Sequence, residues 1–429
     1  MAETTVKKIE SSRLGEYYYD IYHKSGLRAF VFPKSFSTCF GVLGVRFGAI
    51  DRSFKNESGE IVELPAGTAH FLEHKLFENE DGTNSDEAFA KLGADDNAYT
   101  TYGSTRYIFS TTDNEYESIF ELLRMVTNPY FTPKTVKKEQ GIIKREIVMG
   151  DDSPWTCGSE NMLRGLYKNS HLRDTICGTV DSVMRITDQT LHTAYKSFYT
   201  LSNMALSVCG NVEPEKVIDI LDRVLSDVKS TKAAQSLMPI EPDEISTRYV
   251  DKRMKVSRPI FFFGIKDNVD RLSKEERAKR RCGMSILCNM LFSSSGEFYN
   301  RLLSNKLISP SLSFGYSMTR GTAYTVISGE SEFPAKVALL VREKLAQTKK
   351  GGLSKEDFER CRRVCAAGYI RLFDSSEEIA DDVIMNAWFT DTEPFSTLDI
   401  LDTLTVEYCE KLLCDLLSGK STLSVINPL

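Results

Sequence analysis

A chain of 429 residues exceeds the usual single-domain size, so two domains or a duplicated unit is the expectation. Hydrophobic residues at 41% and charged residues at 27% are the balance of a globular protein with a large buried core. A net charge of −6 argues against a nucleic-acid-binding surface, and the basic run from Lys274 to Arg281 reads as a solvated helix face. The opening residues, Met1 to Lys8, lack the apolar core of a secretory signal, and no run approaches the ~20 apolar residues that span a bilayer. The ten cysteines are scattered without a CxxC pair. Cys361 and Cys365 sit four apart in a helical pattern and read as buried thiols. A cytoplasmic protein with reduced cysteines and no membrane segment is therefore expected.

In chain order, the apolar stretch Phe40–Gly48 reads as a strand leading into a loop. Leu64–Phe77 reads as a helix entered at Pro65, with Ala69, Leu72 and Leu76 forming a stripe that packs into the core. His70, Glu73 and His74 stand at i, i+3 and i+4 and so project from one face. Two imidazoles one turn apart can chelate a single metal ion, zinc above others, and the glutamate between them can act on a metal-bound water. With five histidines in the chain, a chance H-x-x-E-H is expected on the order of once in a few hundred such sequences. That rarity favours a site over two surface histidines. A catalytic zinc takes a third protein ligand, and a downstream carboxylate is the natural source.

Glu115–Val126 is an amphipathic helix, and Phe131–Ile147 follows as another, with Thr132 as its cap and Pro133 at its first position. Glu139 and Glu146 lie two turns apart on one face of the second. The strand Met204–Gly210 closes the first half, and the polar, proline-bearing stretch 230–245 reads as a linker. The order then repeats: a strand at Pro259–Gly264, helices at Ala335–Thr348 and Leu353–Tyr369 with Ser354 as cap, and a closing strand at Ser421–Ile426. The positions matching Glu139 and Glu146 are Cys361 and Gly368, and the stretch Ser285–Met290, matching the histidine helix, has neither His nor Glu. The expected architecture is α+β, two homologous halves, each a mainly antiparallel sheet packed against helices. The expected division is a zinc-binding catalytic half at 1–229, the linker at 230–245 and a non-catalytic half at 246–429.

These residues carry a resemblance. The order H-x-x-E-H within Gly67–Phe77, the segment Gly93–Thr100, Tyr107, and Glu139 with Glu146 together resemble the insulinase/pitrilysin family of metallopeptidases. They are most similar to its short bacterial, processing-peptidase-like branch. The resemblance implies a LuxS/metallohydrolase-like fold and one zinc per chain, held by His70, His74 and Glu146. It makes Glu73 the general base on a zinc-bound water and Glu139 an orienting partner of a ligand. Asn97, Ala98, Tyr99 and Thr100 match the edge strand on which the family lays the substrate backbone.

Active members carry an Arg and a Tyr seven residues apart in the second half. The matching stretch here, Arg301–Ser309, places Leu302 and Ser309 at those positions. A homologous subunit without zinc ligands is the expected partner, in a heterodimer closing as a clamshell, with a homodimer as the alternative. The resulting expectation is a zinc endopeptidase for peptides or unfolded segments. A leader-peptide processing peptidase and a non-catalytic structural subunit of the same fold stand as the competing readings.

Overall fold

The computed structural model describes residues 3–56, 58–228 and 231–429. These divide into two compact units. One comprises 1–147, 175–238 and 370–395, and the other comprises 148–174, 239–369 and 396–429. Lys229 and Ser230, where the first half was expected to pass into the linker, lie outside the described residues.

The first unit is built on a seven-stranded sheet: β1 (Thr5–Ser11), β2 (Glu16–Tyr22), β3 (Arg28–Pro33), β4 (Cys39–Val45), β5 (Ala94–Thr100), β6 (Thr105–Thr111) and β7 (Met204–Gly210). Their order across the sheet is β1-β2-β3-β7-β4-β6-β5. Only β3 and β7 run parallel. Every residue of β4 and β7 is buried, which suits central strands covered on both faces. Helices lie on one side, and on the other a π-helix, Glu378–Met385, continues into an α-helix, Asn386–Phe389, with Met385 and Phe389 pressing against Gly44.

The second unit carries a five-stranded sheet: β8 (Tyr249–Met254), β9 (Ile260–Asn268), β10 (Ser313–Thr319), β11 (Thr322–Glu330) and β12 (Ser421–Pro428). Its order, β8-β12-β9-β11-β10, reproduces β3-β7-β4-β6-β5 with the same single parallel pair. The duplication expected from element order is therefore visible strand for strand.

Two of the helices begin at the capping residues read from the sequence, Thr132 and Ser354. α1 is Thr68–Lys75, α2 Glu115–Thr127, α3 Pro133–Asp151, α4 Lys274–Phe292, α5 Pro334–Gly351 and α6 Lys355–Arg371. Thr132 Oγ1 accepts from Thr135 N ahead of α3, and Ser354 Oγ accepts from Asp357 N ahead of α6. Each hydroxyl satisfies a backbone donor that the first turn leaves unpaired.

Residues 231–245 do not behave as a bare tether. Gln235–Ser236 pairs with Ser53–Lys55, and Glu241 is hydrogen-bonded within the second unit. All ten cysteines are unpaired thiols. Among the described residues, no helix is long and apolar enough to cross a membrane.

Candidate metal centre

α1 begins at Thr68 instead of Pro65, because Gly67 at φ 90° interrupts the turn before it. At eight residues the helix is too short to persist alone, so packing must hold it. Phe71 and Leu72 are wholly buried in the first unit's core and Leu76 nearly so. Each contributes roughly 2 kcal/mol by leaving water. That apolar anchorage fixes which way His70, Glu73 and His74 point.

α3 supplies the facing carboxylates. Glu146 Oε1 lies 3.3 Å from His70 Nε2, and Oε2 of the same carboxylate lies 3.5 Å from His74 Nε2. Glu139, two turns earlier and buried, lies 3.0 Å from His74 Nδ1. A carboxylate can only accept, so His74 donates through Nδ1 and presents the lone pair of Nε2 toward Glu146. His70 Nδ1 has no hydrogen-bond partner.

Among the described residues, two groups hold their ligand atoms mutually within 4.8 Å: His70–Glu73–His74 and His70–Glu146–Cys177. The expected trio His70–His74–Glu146 is bridged by Glu146, one oxygen to each imidazole, and is not itself such a group. Glu146, with 43% of its side chain exposed, has room to turn one oxygen toward both. The donor set fits zinc, since ligands about 2.0–2.1 Å from the ion stand about 3.3–3.4 Å apart in a tetrahedron.

Charge follows the same geometry. Burial opposes a charged His70, but Cys177 and Glu146 outweigh it and push its pKa up to about 10. Metal binding competes with that proton. The hydrogen bond from His70 holds the Glu146 pKa below the usual carboxylate value, against burial. Burial raises the pKa of Glu73, while His70, the Thr100 hydroxyl and His74 pull it back.

β5 is an edge strand, paired only with β6. A cavity of about 590 Å³ runs from Glu73, His74 and Glu139 along Asp96, Asn97 and Ala98. The four expected strand residues separate by task. Asn97 and Ala98 line the cavity, Thr100 Oγ1 donates to Glu73 Oε2 at 2.5 Å, and the Tyr99 hydroxyl is tied to Asp381. Asp381 also pairs with Arg106, beneath the sheet. Ala98 N–H points off the sheet edge and is held by the Asn97 side chain at 2.8 Å.

In the second unit, Leu302 is buried in the core with Leu287 and Cys288, in the stretch that matches the histidine helix and carries neither His nor Glu. Sequence reasoning missed Cys177. Its sulfur lies 3.8 Å from both His70 Nε2 and Glu146 Oε1, yet no spacing rule links it to residues thirty and a hundred positions away.

Residues 57–180 match the family described as "Insulinase (Peptidase family M16)", and residues 185–365 match "Peptidase M16 inactive domain". The chain is 33% identical over 414 residues to the "Uncharacterized zinc protease YmfH" of Bacillus subtilis (strain 168), covering 94% of each. It is 27% identical over 198 residues to the "Probable mitochondrial-processing peptidase subunit beta" of Arabidopsis thaliana, covering 45% of this chain and 36% of that one. The crystal structure of an M16-like peptidase from Alicyclobacillus acidocaldarius is similar at a TM-score of 0.90 and 26% identity, covering 100% of this chain and 99% of that one. The chain belongs to the insulinase family, peptidase family M16.

Proposed function

We propose that the chain is a zinc-dependent endopeptidase in which His70, His74 and Glu146 hold one zinc ion and Glu73 is the general base. The observation that carries this reading is Glu146 reaching both imidazoles while Glu73 sits buried between them. Zinc bound there would supply Lewis acidity, polarising a carbonyl and bringing the pKa of water toward ~7. Glu73, held by Thr100, takes the proton of the attacking water and returns it to the leaving amine. Glu139 keeps His74 in one tautomer.

The open edge of β5 offers a peptide backbone its hydrogen bonds, with Asn97 and Ala98 beside the cavity and Thr100 leading to Glu73. Backbone pairing selects extended, flexible substrates over particular sequences. In this reading 1–229 is the zinc-binding half, 246–429 the non-catalytic one, and the chain works in the cytoplasm as the metal-bearing member of a clamshell dimer. The partner is a homologous subunit without zinc ligands. Leu302 and Ser309, standing where the family's second-half Arg and Tyr are expected, favour such a partner over a second copy of this chain. The relative named as a processing-peptidase beta subunit supports leader-peptide processing as a second reading of the substrate. A non-catalytic structural subunit is disfavoured by the histidines and glutamates that this chain retains.

Glu73→Gln tests the assignment. It should keep its zinc and lose peptide turnover by about 10²–10⁴-fold. Full activity with zinc retained would remove Glu73 from the chemistry.

A further inference from the structure

We infer that Cys177 is a fourth protein ligand of the zinc site, its thiolate closing the position that a catalytic zinc otherwise leaves to water. The inference rests on the proposed zinc reading. It starts from the group His70–Glu146–Cys177, whose ligand atoms already lie within 4.8 Å of one another. His70 is 7% exposed, and its Nε2 faces the Cys177 sulfur and a Glu146 oxygen. The sulfur stands 3.8 Å from each of those two atoms. Zinc–sulfur bonds are longer than zinc–nitrogen bonds, about 2.3 Å against 2.0–2.1 Å, so a slightly wider edge is what a sulfur corner requires.

The fold builds this placement from the backbone. Gly67, at φ 90°, and Gly178, at φ 75°, meet where the segment around Cys177 crosses the start of α1. A Cβ on Gly67 would come 2.4 Å from the Cys177 carbonyl oxygen, and one on Gly178 would come 2.4 Å from the Ala66 carbonyl oxygen. No side chain fits at either position. Ser182 Oγ donates to Ala66 O at 2.8 Å, and Thr179 and Ser182 cap each other's backbone in the turn that follows. The loop is thereby clamped to the histidine helix, and the thiol is carried with it.

The chemistry suits the place. Thiolate is a preferred zinc ligand, and with Glu146 it would neutralise a divalent ion in a half-buried site. As the sulfur–metal bond forms, the thiol proton passes to solvent. With His70, Glu146 and Cys177 already grouped and His74 facing the other oxygen of Glu146, two imidazoles, a carboxylate and a thiolate would complete four-coordination, the arrangement of a closed site. Cys177 would therefore hold the fourth position in the resting protein and, with its loop clamped, would open that position to water only as its side chain rotates away.

The test is absorption spectroscopy of the full chain loaded with cobalt(II) in place of zinc. The wild type should show visible ligand-field bands together with a near-ultraviolet thiolate-to-cobalt charge-transfer band. Cys177→Ala and Cys177→Ser should keep the visible bands and lose the charge-transfer band. Visible bands without charge transfer in the wild type, or charge transfer unchanged in both variants, would overturn the role of Cys177 and leave the zinc reading standing. Wild-type protein that takes up no cobalt would overturn the zinc reading itself, and this inference with it.

Discussion

The carboxylate of Glu139 lies 3.0 Å from Nδ1 of His74, so one residue of α3 sets the proton position on a histidine of α1. Carboxylates in this position orient the ring and raise its basicity, and their loss commonly costs 10–100-fold in metal affinity. Glu139→Ala should therefore weaken zinc binding by about that factor, measured by competition with a chromogenic chelator. Unchanged affinity would show that the contact does nothing for the metal.

Thr100 donates to Glu73 at 2.5 Å and joins the edge strand to the proposed base. Thr100→Val keeps the shape and removes the donor. One lost hydrogen bond to a charged group, on the order of 1.5 kcal/mol, should lower kcat roughly tenfold with little change in KM. A change confined to KM would place Thr100 in substrate binding alone.

The outward N–H of Ala98 is held by Asn97 and not by β6. An incoming strand must take over that donor. Proline is tolerated on edge strands, so Ala98→Pro should fold normally. Losing one backbone hydrogen bond to the substrate should raise KM about tenfold for peptide substrates. An unaltered KM would mean that the substrate does not pair with this edge.

Glu241 anchors the second unit. It accepts from Lys168, Asn169 and Ser170 N–H and from the buried Lys266 ammonium. Burial raises its pKa, but Lys266 and the three backbone donors outweigh burial and hold it below the ordinary value. A depressed folded-state pKa gives stability that is present above the unfolded value, about 4.3, and lost as pH falls through the folded one. Glu241→Gln should cost roughly 2 kcal/mol at neutral pH, and the gap to wild type should close in acid. Thermal melts across pH measure this, and a constant gap would contradict it.

The helices, their caps at Thr132 and Ser354, and the repeated strand order were legible in the sequence because each is written locally, in period and capping chemistry. His70, Glu73 and His74 were legible for the same reason, since one helical turn fixes their common face. Glu139 and Glu146 were visible as a pair on one face, and the resemblance assigned them orienting and ligand roles, but which imidazole atoms each faces emerged only when α3 met α1. Cys177 was not legible, because its approach depends on two glycines packing back to back across more than a hundred residues. Segment 370–395 was not legible as part of the first unit, because its Asp381 finds Arg106 and Tyr99 through tertiary contact alone. Nor did Pro65 announce that Gly67 would delay the helix to Thr68.

The most direct measurement is elemental analysis of bound metal in the wild type and in Glu146→Gln, both purified in metal-free buffers. About one zinc per wild-type chain and a clear loss in the variant are expected, because Glu146 is the carboxylate that reaches both histidines. No stoichiometric metal in the wild type, or equal metal in both, would contradict the ligand assignment.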